Sequence, residues 1–366
     1  MNLKCIVKYF LYNLKANFLY FFQNSVFETN KSNILLITHN LGGGTENYLV
    51  QTDFSNFTFL RKIGYGKDSI YAIIENKKVK YVKKKNLFCE LEGFHTYFIN
   101  SLVDFSEKNK ILDYLIKRKR KDLIKIIYLI HDFDCICKNN FNLMKNNFYC
   151  HVKCLDCYKR DINYEKKWSD FLCECDEIRC FSNSSKEILM KKYPILNEGH
   201  ITVLPHNMDY CKNNTAIQIN KKELNIGLVG NINSIPKGRL IVKPLLKYSK
   251  KNKLNITVIG KVNFTNKIRS KYIKYIGTYK NSELGKILQA EKISIVFFSS
   301  VWPETFSYVI SELMSYNVPI CCFDFGAQAE KIKQYEKGFI LNYCDSATEL
   351  YEQIYNCWRK TICSYI

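Results

Sequence analysis

The sequence predicts an α/β protein built from two doubly wound domains with mostly parallel sheets. Three observations carry this. The 366 residues exceed one domain at roughly 100–200 residues each. Short apolar runs alternate with helical patterns in both halves, as in repeated βαβ units. The alternation pauses at a polar stretch, MDYCKNNTAIQINKKE (208–223), and then restarts. The expected boundaries are therefore an N-terminal helix over 1–30, a first domain over 31–207, a linker over 208–223 and a second domain over 224–345. A last helical segment, 346–366, is expected to return toward the first domain.

Taken in order, the first 24 residues place Leu3, Ile6, Phe10, Leu14, Phe18 and Phe21 along one helical stripe. Lys4, Lys8 and Lys15 gather on another side, within about 40° at 100° per residue. Two readings stand: a helix lying on an anionic membrane surface, or a helix packed against the protein. Next, NILLITH (33–39) is a strand that runs into the glycine turn LGGGTE (41–46), with a helix starting near Thr45 or Glu46. Residues 52–100 read as short strands and turns. KILDYLIKRKRKDL (110–123) is helical, and IKIIYLIHD (124–132) is a buried strand with a polar end. EIRCFSNS (177–184) and HITVLPHN (200–207) are strands flanking the helix SSKEILMKKYP (184–194).

The second half repeats the scheme. LNIGLVGNI (224–232), LNITVIGKV (254–262), YIKYIGTY (272–279), ISIVFFSS (293–300), VPICCFDFG (318–326) and GFILN (338–342) are strands. Helices fall between them: 237–252, kinked at Pro244, then 281–291, 305–317 and 327–336, with 347–360 last. In such sheets, ligands bind beyond the carboxyl ends of the strands.

Composition narrows the function. Lys and Arg outnumber Asp and Glu by 55 to 34, a net charge of +21. That charge favours polyanions: anionic lipid or phosphorylated substrates. No nucleic-acid module appears, so nucleic acid is not an expected partner. Sixteen cysteines without a regular disulfide framework or a secretory signal read as a reducing, cytoplasmic setting. No run of 18 apolar residues occurs, so no spanning helix is expected.

The chemistry concentrates in SVWPETFSYVISELM (300–314). A strand, a short loop and a helix starting near Thr305 would aim the N–H groups of Thr305, Phe306 and Ser307 back at the strand ends, a site suited to phosphate. Glu304, just before, suits sugar hydroxyls. Glu312, two turns into the helix, could accept from both hydroxyls of a ribose. The competing reading makes Glu304 a dipole partner and Glu312 a solvated helix residue. Lys237-Gly238, at a helix start after a strand, could neutralise a diphosphate leaving group. Gly42, Gly43 and Gly44 do not form a dinucleotide fingerprint. His131-Asp132 closes a strand. Cys137, Cys150, Cys154 and Cys157 lie close enough in sequence to close a structural zinc site; unliganded thiols are the alternative.

E-x7-E after a buried strand resembles the signature of retaining glycosyltransferases of the GT-B fold, above all glycosyltransferase family 4. The phrase SSVWPETFSYVISELMSYNVPICCFDFGAQAEKI is similar to members acting in bacterial surface polysaccharide synthesis. It includes the Pro before Glu304, the Pro319 strand and the Gly326-Ala327 turn. A weaker likeness extends over about residues 33 to 342. The resemblance implies two Rossmann-like domains facing a cleft, the second holding a nucleotide-diphosphate sugar. It implies contact of His131 with the donor sugar, of Lys237 with the diphosphate, and of the Gly42–Gly44 backbone with donor or acceptor. Many relatives add an Arg near the first strand of the second domain; here Asn231 or Asn233 stands there. The implied reaction transfers a hexose to a carbohydrate or lipid-linked acceptor with retention, and needs no catalytic metal. The implied location is the cytoplasm, peripherally on the inner membrane. A nucleotide-sugar epimerase or hydrolase, and a non-catalytic scaffold of the same fold, are the alternatives.

Overall fold

The computed structural model describes residues 32–363, apart from 40–41, 64–69, 139–140, 154, 156, 158–159, 213 and 265–266. The N-terminal basic and aromatic segment lies outside the described residues. The chain forms two compact units. The first comprises the described residues up to Phe141 with Val152–Phe181 and Lys186–His206; the second comprises Asn142–His151, Ser182–Ser185 and the chain from Asn207 on.

In the first unit, β1 (Ile34–Thr38) leads into α1 (Gly44–Gln51). Then come β2 (Thr58–Ile63), β3 (Ile70–Glu75), β4 (Lys78–Lys83), the short α2 (Leu87–Glu90) and β5 (Thr96–Ile99). α3 (Lys108–Lys121), β6 (Lys125–Leu129), α4 (Ile162–Cys173), β9 (Glu177–Cys180), α5 (Asn183–Lys192, whose first turn belongs to the second unit) and β10 (Ile201–Val203) complete it. A two-residue-per-strand hairpin, β7 (Met144–Lys145) with β8 (Phe148–Tyr149), intervenes and belongs to the second unit. The sheet runs β10-β9-β6-β5-β1-β2-β3-β4, parallel through β2 and antiparallel at β3 and β4. Its central strands are continuous apolar runs because both faces are covered. The β3–β4 turn places Asn76 and Lys77 at φ 46° and 66°, the left-handed pair that a two-residue hairpin requires. Strand order reverses between β1 and β5, so the first unit's crevice lies at their carboxyl ends.

The second unit holds β11 (Asn225–Val229), α6 (Arg239–Asn252), β12 (Asn255–Ile259), β13 (Ile273–Gly277) and α7 (Leu284–Ala290). β14 (Ile295–Phe298), α8 (Tyr308–Ser315), β15 (Ile320–Phe323), α9 (Gly326–Lys333), β16 (Gly338–Leu341) and α10 (Ala347–Cys363) follow. Its sheet is all parallel, in the order β13-β12-β11-β14-β15-β16. Numbered within the unit, this is 3-2-1-4-5-6, with the switch point between β11 and β14. Leu288, Ile293, Val296, Ile310 and Ile320 are fully buried in its core.

Two local expectations change. The helix over 239–252 runs through Pro244 without a break; the carbonyl that Pro244 leaves without its usual donor belongs to Leu240, which is exposed and can face water. The stretch 208–223 is bonded into the second unit: Asn214 Nδ2 donates to Ser315 Oγ (2.8 Å), and the Ile217 N–H to the Tyr316 carbonyl (3.0 Å). The final helix packs against α6 and next to β14 and β16. Among the described residues no helix is long and apolar enough to cross a membrane.

Candidate active site

The loops leaving β11 and β14 emerge side by side at the switch point and are stitched together. Val301 N–H donates to the Pro236 carbonyl (2.8 Å), and Ser299 Oγ to the Lys237 carbonyl (2.9 Å). Gly238 sits at φ 83°, and a Cβ there would lie 2.0 Å from the Ser299 carbonyl oxygen, so no other residue fits without moving the backbone. This join brings the Lys237 Nζ to 2.5 Å from Glu304 Oε1. Lys237 also lies 5.6 Å from the Trp302 ring centroid.

Glu304 is buried, 6% exposed. Its N–H donates to Gln328 Oε1 (3.0 Å), its carbonyl accepts from the Ala327 N–H (2.9 Å), and Gln328 Nε2 donates to the Trp302 carbonyl (2.7 Å). Gly326 allows this approach: a Cβ there would sit 2.4 Å from Pro303 Cα. A fixed carboxylate beside a half-exposed ammonium, at strand carboxyl ends, can bind hydroxyl donors at one end and an anion at the other.

The helix beyond starts later than the sequence suggests. Thr305, Phe306 and Ser307 form a buried turn, and α8 begins at Tyr308. Ser307 is the cause: it adopts φ 65°, outside the helical region, and serves as the N-cap. The first helical turn is thus made by residues 308–310, not 305–307. The Ser307 hydroxyl makes no cap bond and, among the described residues, has no hydrogen-bond partner, although Ser307 is only 6% exposed.

Glu312 stands one turn into α8 rather than two, and is buried rather than solvated. It accepts from the Tyr210 hydroxyl (2.6 Å) and Asn281 Nδ2 (2.9 Å). Burial raises its pKa, and the Tyr210 bond opposes the rise. Neither partner was visible in the sequence pattern, because both come from loops far along the chain.

In the first unit, Gly42 (φ 76°) and Gly43 (φ 84°) follow β1, and Gly44 opens α1. Among the described residues, beyond the chain neighbours, no atom lies within 4 Å of a Cβ built on Gly42 or Gly43. His131 follows β6 and is not the isolated histidine that the sequence presents. Its ring lies 4.4 Å from Phe181, 4.9 Å from Tyr48 and 5.4 Å from His206, between centroids. Burial first, then the neighbouring His206 and His39, hold its pKa well below the ordinary range, so the imidazole is neutral. Asp132 accepts from Ser101 Oγ (2.8 Å) and from the Asp134 N–H (2.9 Å). Asp134 pairs with Lys108 and is pushed by burial up to about 6.

Of the four thiols considered for zinc, Cys154 lies outside the described residues. Among the described residues no three His, Cys, Asp or Glu side chains gather as a metal site. The buried Cys321 and Cys322 of β15 act as small core residues.

Residues 214–358 match the family model described as glycosyl transferases group 1. No curated protein sequence matches the chain. Among solved structures, HepE of Anabaena in complex with UDP-glucose is similar at TM-score 0.58 and 12% identity, over 90% of each chain. A sucrose-phosphate synthase from Thermosynechococcus elongatus is similar at TM-score 0.57 and 13% identity, over 90% of this chain and 91% of that one. A glycosyltransferase from Rickettsia africae is similar at TM-score 0.57 and 16% identity, over 90% and 89%. The fold class is that of the GT-B glycosyltransferases, with Rossmann-like parallel-sheet domains.

Proposed function

We propose that the chain is a retaining glycosyltransferase of the family 4 type. It moves a sugar from a nucleotide-diphosphate donor to a carbohydrate or lipid-linked acceptor, in surface glycan synthesis. The observation that carries this is the 2.5 Å Lys237–Glu304 contact at the switch point of the second unit, inside the segment matching group 1 glycosyl transferases. The UDP-glucose of the Anabaena HepE complex supports a nucleotide-sugar donor here.

Lys237 stabilises the leaving diphosphate, and Glu304 accepts hydroxyls of the transferred sugar. Glu312 accepts from the ribose by exchanging bonds with Tyr210 and Asn281. The neutral His131 bonds the donor sugar, and the Gly42–Gly44 backbone approaches donor or acceptor. The acceptor oxygen attacks the anomeric carbon on the face from which the diphosphate departs. The bond from that carbon to the phosphate oxygen breaks as the new one forms, and the acceptor proton passes to the diphosphate. The enzyme's part is positioning and charge stabilisation, supplied by Lys237 and the N-terminal end of α8 without a catalytic metal. Residues 1–24 hold it peripherally on the cytoplasmic face of the membrane.

The test is a melting and turnover screen against UDP-, GDP-, dTDP- and CMP-sugars. One donor raises the melting temperature and is slowly hydrolysed. Glu304→Ala and Lys237→Ala each lower turnover roughly 10²–10³-fold while remaining folded. If no donor at millimolar concentration shifts melting, the reading fails.

A further inference from the structure

Lys331 is a charge in the wrong place for a helix. It lies on α9, yet its Nζ donates to the Ser307 carbonyl (3.3 Å) and to Ser311 Oγ (2.6 Å), against the first turn of α8. A cation at a helix N-terminus is disfavoured by the helix dipole. The ammonium also stands 3.3 Å from the Phe306 ring centroid, a favourable cation–π contact. Ser307, whose carbonyl Lys331 bonds, also carries a buried hydroxyl that has no hydrogen-bond partner among the described residues. The charged groups facing Lys331 are Glu304 on the preceding loop and Glu330 on its own helix, and the nearer needs of Glu304 are met by Lys237.

Resting on the glycosyl-transfer reading, we propose that Lys331 is the second cation of the donor-phosphate site. It positions the Thr305–Ser307 turn, and a phosphate group bound at the α8 N-terminus, together with the Ser307 hydroxyl, satisfies its charge. An anion there answers three features at once: the cation, the positive helix end and the unmatched hydroxyl.

This has a readout that a purely structural lysine lacks. Burial holds Lys331 down to about 7, with Glu304 and Glu330 opposing. At pH 8 the unliganded side chain is mostly neutral, and a bound phosphate draws a proton onto it. Donor binding therefore takes up close to one proton at pH 8, and affinity weakens roughly eightfold from pH 6.5 to pH 8.

The experiment is titration calorimetry of the whole chain with the UDP-, GDP-, dTDP- or CMP-sugar that binds. It is run in two buffers of different ionisation enthalpy, on wild type, Lys331→Met and Lys331→Arg. Proton uptake is expected in the wild type and lost in both variants. Affinity becomes independent of pH in both, tight in Lys331→Arg and weak in Lys331→Met. Wild-type binding without proton uptake, or uptake that persists in Lys331→Met, overturns the assignment and leaves the glycosyl-transfer reading standing. Failure of every donor to bind the wild type overturns both.

Discussion

The two units use glycine at their switch points for opposite ends. In the second unit, Gly238 and Gly326 lie where a Cβ would strike backbone at 2.0 and 2.4 Å. They let two loops close upon each other and fix Lys237 against Glu304. In the first unit, Gly42 and Gly43 have comparable positive φ angles, but among the described residues a Cβ there would meet no atom within 4 Å beyond the chain neighbours. There glycine supplies conformation and leaves space vacant. The polar groups differ likewise. The second unit presents an ion pair; the first presents a neutral imidazole packed among rings. One unit has a rigid charged anchor, and the other a neutral imidazole packed among rings beside a glycine turn.

The contrast breaks most visibly if the glycines are exchanged for alanine. Gly326→Ala combines backbone collision with left-handed strain and destabilises the second unit by about 3 kcal/mol. Gly42→Ala costs about 1 kcal/mol, from strain alone. Equal melting shifts for the two variants would erase the distinction. A pH series sharpens it next. The folded pKa of His131 lies below its unfolded value, so the unfolded chain binds more protons on the acid side. Stability of the first unit then falls as pH drops below about 6.5, by at most about 1.4 kcal/mol per pH unit for this group. His131→Phe removes that contribution. Lys331 acts at the other end of the scale: with a folded pKa of about 7, it makes the second unit more stable as pH rises from 7 toward 10, a slope that Lys331→Met removes. The smallest effect is Tyr210→Phe, which leaves Glu312 with the Asn281 bond and lowers stability by about 1 kcal/mol; an unchanged melting curve would show that this bond contributes nothing.

What the sequence discloses depends on range. The buried parallel strands of the second unit are apolar runs bounded by Gly, Pro and Asn, so its strands could be laid out from local signals, whereas β2 to β5 of the first unit read only as short strands and turns. Glu304 and Glu312 were legible as a spaced pair after such a strand. The start of α8 was not, because Thr305 looks like a helix entry while Ser307 takes a left-handed conformation that serine rarely adopts. The partners of the two acids were hidden as well. Tyr210, Asn281 and Gln328 reach them only through tertiary packing; Lys331 reaches the Ser307 carbonyl and Ser311 the same way, and a lysine on an amphipathic helix ordinarily reads as solvated. His206 and Phe181 surround His131 for the same reason: three separate strand ends converge, which no linear spacing reports.

The 3-2-1-4-5-6 order of the second sheet also sets a timetable. β11 is made first of its sheet and β12 and β13 can join it promptly, but its other flank is completed only by β14, at Ile295–Phe298. At about 5–20 residues per second of synthesis, the chain from Val229 to Phe298 takes roughly 3–14 s to appear. For that interval the nascent sheet carries one bare apolar edge, the kind of surface that other chains pair with. The strand that later brings Glu304 to Lys237 is also the one that ends this exposure.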